Sequence, residues 1–351
     1  MRLAWLRGQT TWLVGAVVCI IVSLAVVEVG GSSGDRLPAF RTCCQTCETD
    51  VCQSGDPAQA TLPMSLRLFF WTCPQNCQYE CMQRITDLAR KAAEDGKPHV
   101  IHQYFGKWPF SRFLGIQEPA SVVFSVLNGY AHWSHWQAIQ DKVPPAYFMK
   151  PWYLAYVVIS VNTWVWSTVF HIRDFGWTEK MDYFSAGFSV LFMLLMALVR
   201  IFRLQPGSSS SSGIGDGKNT VVAGRPSPVL KPLIALHLVA FIAHITYLSL
   251  WRFDYAYNMM ANVVVGICAN IAWTIWSYCN RRTHPLAWRP TICVMLISAA
   301  MSLELFDFPP WAGILDAHSL WHASTVPIIY LFYNFLIRDA QWDYKMTRLK
   351  L

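Results

Sequence analysis

Three histidines of this 351-residue chain lie at spacings that suit metal binding. His318 and His322 are four residues apart, so on a helix both imidazoles would lie on one face and could chelate one ion. His171, from a distant part of the chain, is a third candidate ligand. Catalytic zinc sites typically have three protein ligands and leave a fourth position open for water. The pattern therefore predicts a Zn²⁺ site with catalytic chemistry.

A serine and an aspartate near these histidines could complete that chemistry. Ser167 precedes His171 by one helical turn, and Asp182 follows it after a short loop. In this hypothesis the metal lowers the pKa of a coordinated water, Asp182 orients or deprotonates that water, and Ser167 stabilises the oxyanion. Spacing alone leaves an alternative open, in which the histidines are hydrogen-bonded polar residues that join helices. His237 and His244 also remain alternative ligands.

The helices that must position these residues are apolar enough to cross a membrane. The composition is 54% hydrophobic but only 14% charged, whereas soluble proteins carry roughly a quarter charged residues. This excludes a cytosolic enzyme, a disordered scaffold and a nucleic-acid-binding domain. Because a membrane span needs about twenty apolar residues, we predict an all-α membrane protein, a seven-transmembrane helix bundle with spans at about 119–138, 151–171, 182–202, 230–251, 256–279, 288–305 and 315–337.

The distribution of basic residues predicts how these spans are oriented. With a luminal N-terminus, the loops and tail assigned to the cytosol hold fourteen lysines and arginines, whereas the loops between spans assigned to the lumen hold three. Cytosolic loops are typically enriched in both residues. The net charge of +7 is thus explained mainly by the basic residues of the predicted cytosolic loops and tail. All five candidate site residues would then lie at the luminal ends of their helices.

The N-terminal region is typical of a protein that enters the secretory pathway. Residues 1–31 have the basic start, short apolar run and small-residue segment of a signal peptide, with retention as a membrane anchor as the alternative. Seven of the eleven cysteines follow within about fifty residues. This density favours disulfides in an oxidising compartment and leaves one thiol over. A zinc cluster at Cys73, Cys77 and Cys81, which have helical spacing, is the alternative.

These observations predict the domain organisation. The divisions are a signal peptide at 1–31, a luminal cysteine-rich domain at 32–117, a seven-transmembrane domain at 118–338 with a flexible serine-rich cytosolic loop at 204–228, and a cytosolic tail at 339–351. The aromatic segment 104–110 is expected at the luminal membrane interface.

Other acidic residues near the predicted site are expected to have structural roles. Glu118 begins the first span, where a negative charge suits a helix N-terminus. A Ca²⁺ site at Glu118, or a contact between Glu118 and a metal ligand, is the alternative. Asp254, Glu304 and Asp307 are expected to fix loops and helix ends.

The combined pattern resembles a superfamily of seven-span membrane hydrolases that includes alkaline ceramidases, adiponectin-type receptors and GPI-anchor remodelling proteins. Their shared pattern is Ser-x3-His in span two, Asp at the start of span three and His-x3-His in span seven, here Ser167, His171, Asp182, His318 and His322. Further segments are similar to the post-GPI-attachment remodelling family of GPI-specific phospholipase A2-like proteins, namely 103–110, 117–122, 253–258 and 303–322.

The resemblance implies an activity that spacing does not show. It implies zinc-dependent hydrolysis of the sn-2 unsaturated acyl ester of GPI lipid, at the luminal leaflet of the Golgi membrane, with the endoplasmic reticulum as the alternative location. The expected partners are GPI-anchored proteins as substrates and membrane lipid, and no nucleic acid. Two alternatives remain: a ceramidase-like lipid amidase with the same metal site, and a non-catalytic seven-span receptor or lipid-remodelling chaperone.

Overall fold

The computed structural model describes residues 32–52, 62–205, 227–251 and 253–349. The predicted signal peptide at 1–31 and residues 206–226 of the predicted loop lie outside this part of the chain. Within it, the predicted all-α fold is confirmed. The helices are α1 (Pro38–Cys47), α2 (Met64–Leu68), α3 (Cys73–Glu94), α4 (Pro119–Trp133), α5 (His135–Lys142), α6 (Lys150–Ile172), α7 (Gly176–Ile201), α8 (Leu230–Thr246), α9 (Tyr255–Asn280), α10 (Trp288–Leu305) and α11 (Ala317–Arg348).

Six helices in the described residues are long and apolar enough to cross a membrane, namely α6 to α11, with α8 extended by the π-helical turn Tyr247–Trp251. The first predicted span, about 119–138, corresponds to α4, which has fifteen residues. That is shorter than the roughly 20 residues that fit a bilayer core, and a separate helix begins after Ser134. The multi-pass membrane fold is therefore confirmed with six helices of spanning length, whereas the predicted count of seven spans is not confirmed, because α4 is shorter.

The polar residues that interrupt the apolar pattern of α4 contact the neighbouring helix α11. Asn128 donates to the backbone oxygen of His322 at 2.7 Å, and the His132 ring lies 3.0 Å from the Tyr333 hydroxyl. Both side chains are buried. The short helix is therefore packed inside the bundle, because its polar residues have partners there.

A buried ion-pair cluster joins α7 to α11 at the end of the bundle far from the cysteine-rich region. Arg200 donates to both carboxylate oxygens of Asp339, at 2.7 and 2.8 Å, and Asp339 has no exposed surface. Asp343 accepts from Arg203 at 2.5 Å. Removing one partner of such a pair would leave an uncompensated buried charge, at a cost of about 3–5 kcal/mol. The cluster therefore fixes α7 against α11 at this end.

Three disulfides join the first helical segment to α3, which confirms the disulfide prediction. They are Cys43–Cys81, Cys47–Cys77 and Cys52–Cys73. The cysteines of α3 are four residues apart, whereas Cys47 and Cys52 are five apart. The π-helical turn Glu48–Cys52 accommodates the additional residue, since a π turn holds one residue more than an α turn. All three pairs can therefore form along one face.

Disulfide bonding excludes the alternative zinc cluster at these cysteines. Some of the sulfurs lie close enough together to resemble a metal site, but a metal ligand must be a thiolate, and these sulfurs are bonded to each other. Cys44 is the thiol left over. Burial, and then the charge of Glu48, raise the pKa of the Cys44 thiol. Its reactivity at neutral pH is therefore low.

The cysteine-rich region covers one end of the bundle. Arg173, in the loop after α6, donates to Gln75 of α3 at 2.9 Å, and the Trp71 indole donates to the backbone oxygen of Gly115 at 2.8 Å. The aromatic segment 104–110, expected at a membrane interface, lies partly inside this contact. Tyr104 is buried and packs on Phe40, with ring centroids 4.8 Å apart. The interface prediction is therefore wrong for Tyr104.

Loss of the middle disulfide should destabilise the cysteine-rich region. In the double variant Cys47→Ser/Cys77→Ser, the unfolded chain gains conformational entropy, and we expect a loss of about 2–3 kcal/mol. Protease resistance of the region as a function of temperature measures this change. Cys44→Ser is the matched control and should change the midpoint far less. An equal loss in both variants would show that the disulfide contributes no specific stability.

Candidate metal centre

Three predicted histidines come together at the end of the bundle covered by the cysteine-rich region. The Nε2 atoms of His318 and His171 are 3.4 Å apart, and those of His322 and His318 are 2.9 Å apart. All three candidate ligand atoms lie within 4.8 Å of one another. For Zn–N bonds of roughly 2.0–2.1 Å, nitrogens in a tetrahedral site are about 3.4 Å apart. The positions of these nitrogens therefore suit one zinc ion.

Glutamates orient two of these imidazoles. Nδ1 of His171 lies 2.8 Å from Oε2 of Glu118, and Nδ1 of His318 lies 2.7 Å from Oε2 of Glu304. An ionised carboxylate only accepts hydrogen bonds, so each Nδ1 carries a proton, and with a metal bound each Nε2 would offer its lone pair to the centre. A carboxylate behind a histidine is the usual arrangement around protein-bound zinc.

Glu304 was expected to fix a helix end, and it also contacts a candidate ligand. It lies near the end of α10, accepts from the Tyr255 hydroxyl at the start of α9 at 3.4 Å, and contacts His318. Glu118 contacts a candidate ligand, His171, which was the alternative stated for this residue. Asp307 does fix a loop, since it accepts from the Trp108 indole at 2.8 Å. The sequence analysis noted Glu304 near the luminal end of a span but did not connect it with His318, which belongs to another helix.

Lys107 keeps Glu118 in its ionised form. Its ammonium donates to Glu118 and lies 3.2 Å from an oxygen of Asp174. Burial disfavours the charged ammonium, but the attraction of Glu118 and Asp174 outweighs this and raises the pKa of Lys107. A cation therefore already lies beside Glu118, at the position that a Ca²⁺ ion would need.

Local backbone structure explains how Lys107 and the histidines are held. Lys107 follows a tight turn in which Phe105 and Gly106 both have positive φ, a conformation that favours glycine. The end of α6 is tied to the segment before α4 because the Glu118 amide donates to the backbone oxygen of His171 at 3.1 Å. At the start of α11, Asp316 accepts from the Ser319 amide at 2.8 Å. This capping box fixes the turn that carries the first α11 histidine.

A pair of serines supports the third histidine. Nδ1 of His322 lies 3.1 Å from Oγ of Ser125, which lies 3.0 Å from Oγ of Ser167. Ser167 was predicted from sequence, and Ser125 was missed. Ser125 belongs to a buried polar face of α4 formed by Ser121, Ser125, Asn128 and His132. Their helical spacing in an otherwise apolar segment was the signal that could have identified Ser125.

Asp182 lies near the histidines on the second turn of α7. It is close enough to Lys107 and Glu118 for their charges to act on its carboxylate. No described residue is seen to donate a hydrogen bond to its carboxylate; the adjacent bond from Ser185 goes to its backbone oxygen. The carboxylate is therefore close to the centre without being engaged by another side chain.

The alternative ligands lie elsewhere. Nε2 of His244 is 3.2 Å from Oδ1 of Asn258, and Nδ1 of His237 is 2.9 Å from the backbone oxygen of Leu233. Neither belongs to the three-histidine group. Asp254 caps α9 by accepting from the Tyr257 amide at 3.0 Å, as expected.

The chain is similar to known proteins over most of its length. Residues 63–340 match the Per1-like family. The mouse protein named GPI-specific phospholipase A2-like PGAP3 is 41% identical over 325 residues, covering 92% of this chain and 93% of that protein. The human protein of that name is 38% identical, with 92% and 93% covered. The fission yeast Protein PER1 homolog (Schizosaccharomyces pombe) is 40% identical, with 90% and 89% covered. This chain belongs to the Per1-like family.

Proposed function

We propose that this protein is a zinc-dependent acyl hydrolase that removes the sn-2 unsaturated fatty acid from the GPI lipid of GPI-anchored proteins. The convergence of three Nε2 atoms, two of them oriented by glutamates, carries this proposal. The mouse and human relatives are named GPI-specific phospholipase A2-like, and a phospholipase A2 cleaves the sn-2 ester. That name supports the choice of substrate.

His171, His318 and His322 would hold the zinc ion, which would supply Lewis acidity to the ester carbonyl and make water more acidic. Glu118 and Glu304 keep two of these rings in the tautomer that presents Nε2. The donor set of three neutral imidazoles suits zinc. The remaining steps depend on side chains of the chain itself.

Asp182 would act as general base and then as general acid. Its carboxylate takes a proton from the attacking water as the oxygen bonds to the carbonyl carbon. When the bond between that carbon and the glycerol oxygen breaks, the protonated Asp182 returns the proton to the leaving alkoxide. The products are a free fatty acid and a lyso-GPI lipid. The absence of a hydrogen-bond donor to Asp182 among the described residues leaves its oxygens free for this exchange.

Ser167 would stabilise the negative charge that develops on the carbonyl oxygen. If Nδ1 of His322 donates to Ser125, the Ser125 hydroxyl can donate to Ser167. The hydrogen of Ser167 is then free to donate to the substrate oxygen, as in an oxyanion hole. Ser125 would act as a positioning residue, since it fixes both the histidine and the serine.

The proposed location is the luminal leaflet of the Golgi membrane, with the N-terminus luminal and the C-terminus cytosolic. Disulfides form in oxidising compartments, and the histidines lie at the same end of the bundle as the three disulfides. The basic residues predicted for the opposite side agree with this orientation. GPI-anchored proteins, as substrates, occupy the luminal leaflet, so the site and the substrate would lie on the same side.

Removal of a glutamate behind a histidine should weaken metal binding. Glu304→Gln leaves the size of the side chain unchanged but removes the charge that orients His318, and we expect metal affinity to fall by roughly 10–100-fold. Metal analysis of purified protein after dialysis against graded chelator concentrations measures this. Asp307→Asn removes a nearby charge that contacts no histidine and should retain the metal. Equal retention by both variants would argue against a metal role for Glu304.

Loss of the base or of a ligand should stop lipid remodelling. In cells that lack the endogenous protein, we expect Asp182→Asn to lower the rate by about 10²–10⁴-fold and His318→Ala to abolish it. Mass spectrometry of the lipid on GPI-anchored proteins would then show persistent unsaturated sn-2 chains. His99→Ala, at an exposed histidine outside the three-histidine group, is the control. Normal remodelling by His318→Ala would contradict the proposal, and ceramide hydrolysis without GPI remodelling would favour the amidase.

A further inference from the structure

A cavity of about 260 Å³ lies between the cysteine-rich region and the covered end of the bundle. Its lining includes Trp71, Tyr79, Lys107, Arg112, Gln117, Arg173 and Asp174. Three of these side chains are cationic, and the one carboxylate among them, Asp174, is paired with Lys107. The mechanism above uses one of them, Lys107, as the partner of Glu118, and leaves both arginines without a role.

The two arginines are stacked on aromatic rings. The guanidinium of Arg112 lies 3.5 Å from the Tyr79 ring centroid and 4.4 Å from that of Trp71. The guanidinium of Arg173 lies 3.8 Å from the same Trp71 centroid. Stacking fixes the planes of both groups while leaving the N–H edges available for hydrogen bonds. Two like charges are thereby held near one aromatic ring.

The hydrogen-bond partners of these arginines are neutral. Arg112 donates to Oδ1 of Asn76 at 2.6 Å, and Arg173 donates to Oε1 of Gln75 at 2.9 Å. Among the described residues no carboxylate is within ion-pair distance of either guanidinium. The acidic side chains that act on them at longer range are Glu80 for Arg112 and Asp174 for Arg173, and Asp174 is paired with Lys107.

Part of their donor capacity is buried and unused. Nη1 of Arg112 and Nε of Arg173 are buried without a hydrogen-bond partner in the described structure, and only 8% of Arg173 is exposed. Burying a charged donor without a partner is costly. Planar guanidinium groups match the oxygens of phosphate and carboxylate. Both residues line the cavity, so an anion bound there would meet two guanidinium groups that have no carboxylate partner.

The position of the cavity selects the anion. Arg173 follows the candidate ligand His171 by two residues, and Gln117 precedes Glu118, which contacts the same histidine. In a glycerophospholipid only a few covalent bonds separate the phosphate from the sn-2 ester. A group that recognises the phosphate must therefore lie beside the reacting centre, as this cavity does.

We propose that Arg112 and Arg173 bind the phosphodiester of a phosphoinositol lipid head group and thereby place the sn-2 ester at the three histidines. This inference rests on the proposed function for the identity of the lipid. The two arginines are substrate-binding residues and take no part in proton transfer.

Binding of a head group without acyl chains tests this inference separately from hydrolysis. The probe is glycerophosphoinositol, a water-soluble phosphodiester with no ester to cleave, added to the full-length protein in detergent. Calorimetric titration gives the affinity. Because each lost charge-assisted hydrogen bond weakens binding, we expect Arg112→Gln and Arg173→Gln each to lower the affinity by about 10–100-fold. Arg90→Gln, the same change at an α3 residue paired with Asp87, should bind as the unmodified protein does.

Further variants and ligands separate the outcomes. Arg112→Lys and Arg173→Lys keep the charge but lose the planar donor fork, so they should fold and still bind more weakly. His318→Ala should lose hydrolysis but retain binding, because the two arginines do not depend on the metal site. Normal hydrolysis by His318→Ala, with binding that still depends on both arginines, would overturn the proposed function alone. Unchanged binding by the arginine variants would overturn this inference. So would inorganic phosphate, or inositol with glycerol, binding as tightly as glycerophosphoinositol.

Discussion

The structure of the candidate site depends on one constraint, which is that three imidazole nitrogens face a common point inside an apolar bundle. Buried lone pairs directed at one another are unfavourable without a cation between them. Glu118 and Glu304 impose that arrangement by binding the far nitrogens of His171 and His318. The turn that positions Lys107 and the cap at the start of α11 hold these partners in place. The local structure around the histidines thus brings their three Nε2 atoms together, as the proposed metal site requires.

The cysteine-rich region contacts the loop that follows one of the three histidines. Its helix α3 contacts Arg173 through Gln75, and Arg173 follows the end of α6, two residues after His171. The three disulfides make α3 a rigid support, so the loop that follows His171 rests on a fixed surface. A small lipid would not require a domain over this end of the bundle. A lipid attached to a large head group and a protein would need a protein surface there to contact.

The sequence predicted which histidines come together, including His171 from a distant helix, but it missed the side chains on other helices that contact them. Six spans followed from apolar length, and the grouping of His318 with His322 followed from one helical turn. Glu304 lies on another helix from His318, so no periodic pattern joins them, and its role emerged only when α10 was packed beside α11. Ser125 was missed for the same reason. The shortness of α4 reflects polar residues that are satisfied by α11, a pairing that hydropathy does not register.

The ion pair between Arg200 and Asp339 bears on how a lipid would reach the histidines. Parting α7 from α11 at that end would strand two desolvated charges, at about 3–5 kcal/mol. The histidine end of the same two helices has no comparable clamp among the described residues, since Asp182 there lacks a hydrogen-bonding partner. In the proposed function, an acyl chain that entered between α7 and α11 would therefore do so at the histidine end, because buried charges join the two helices at the other end.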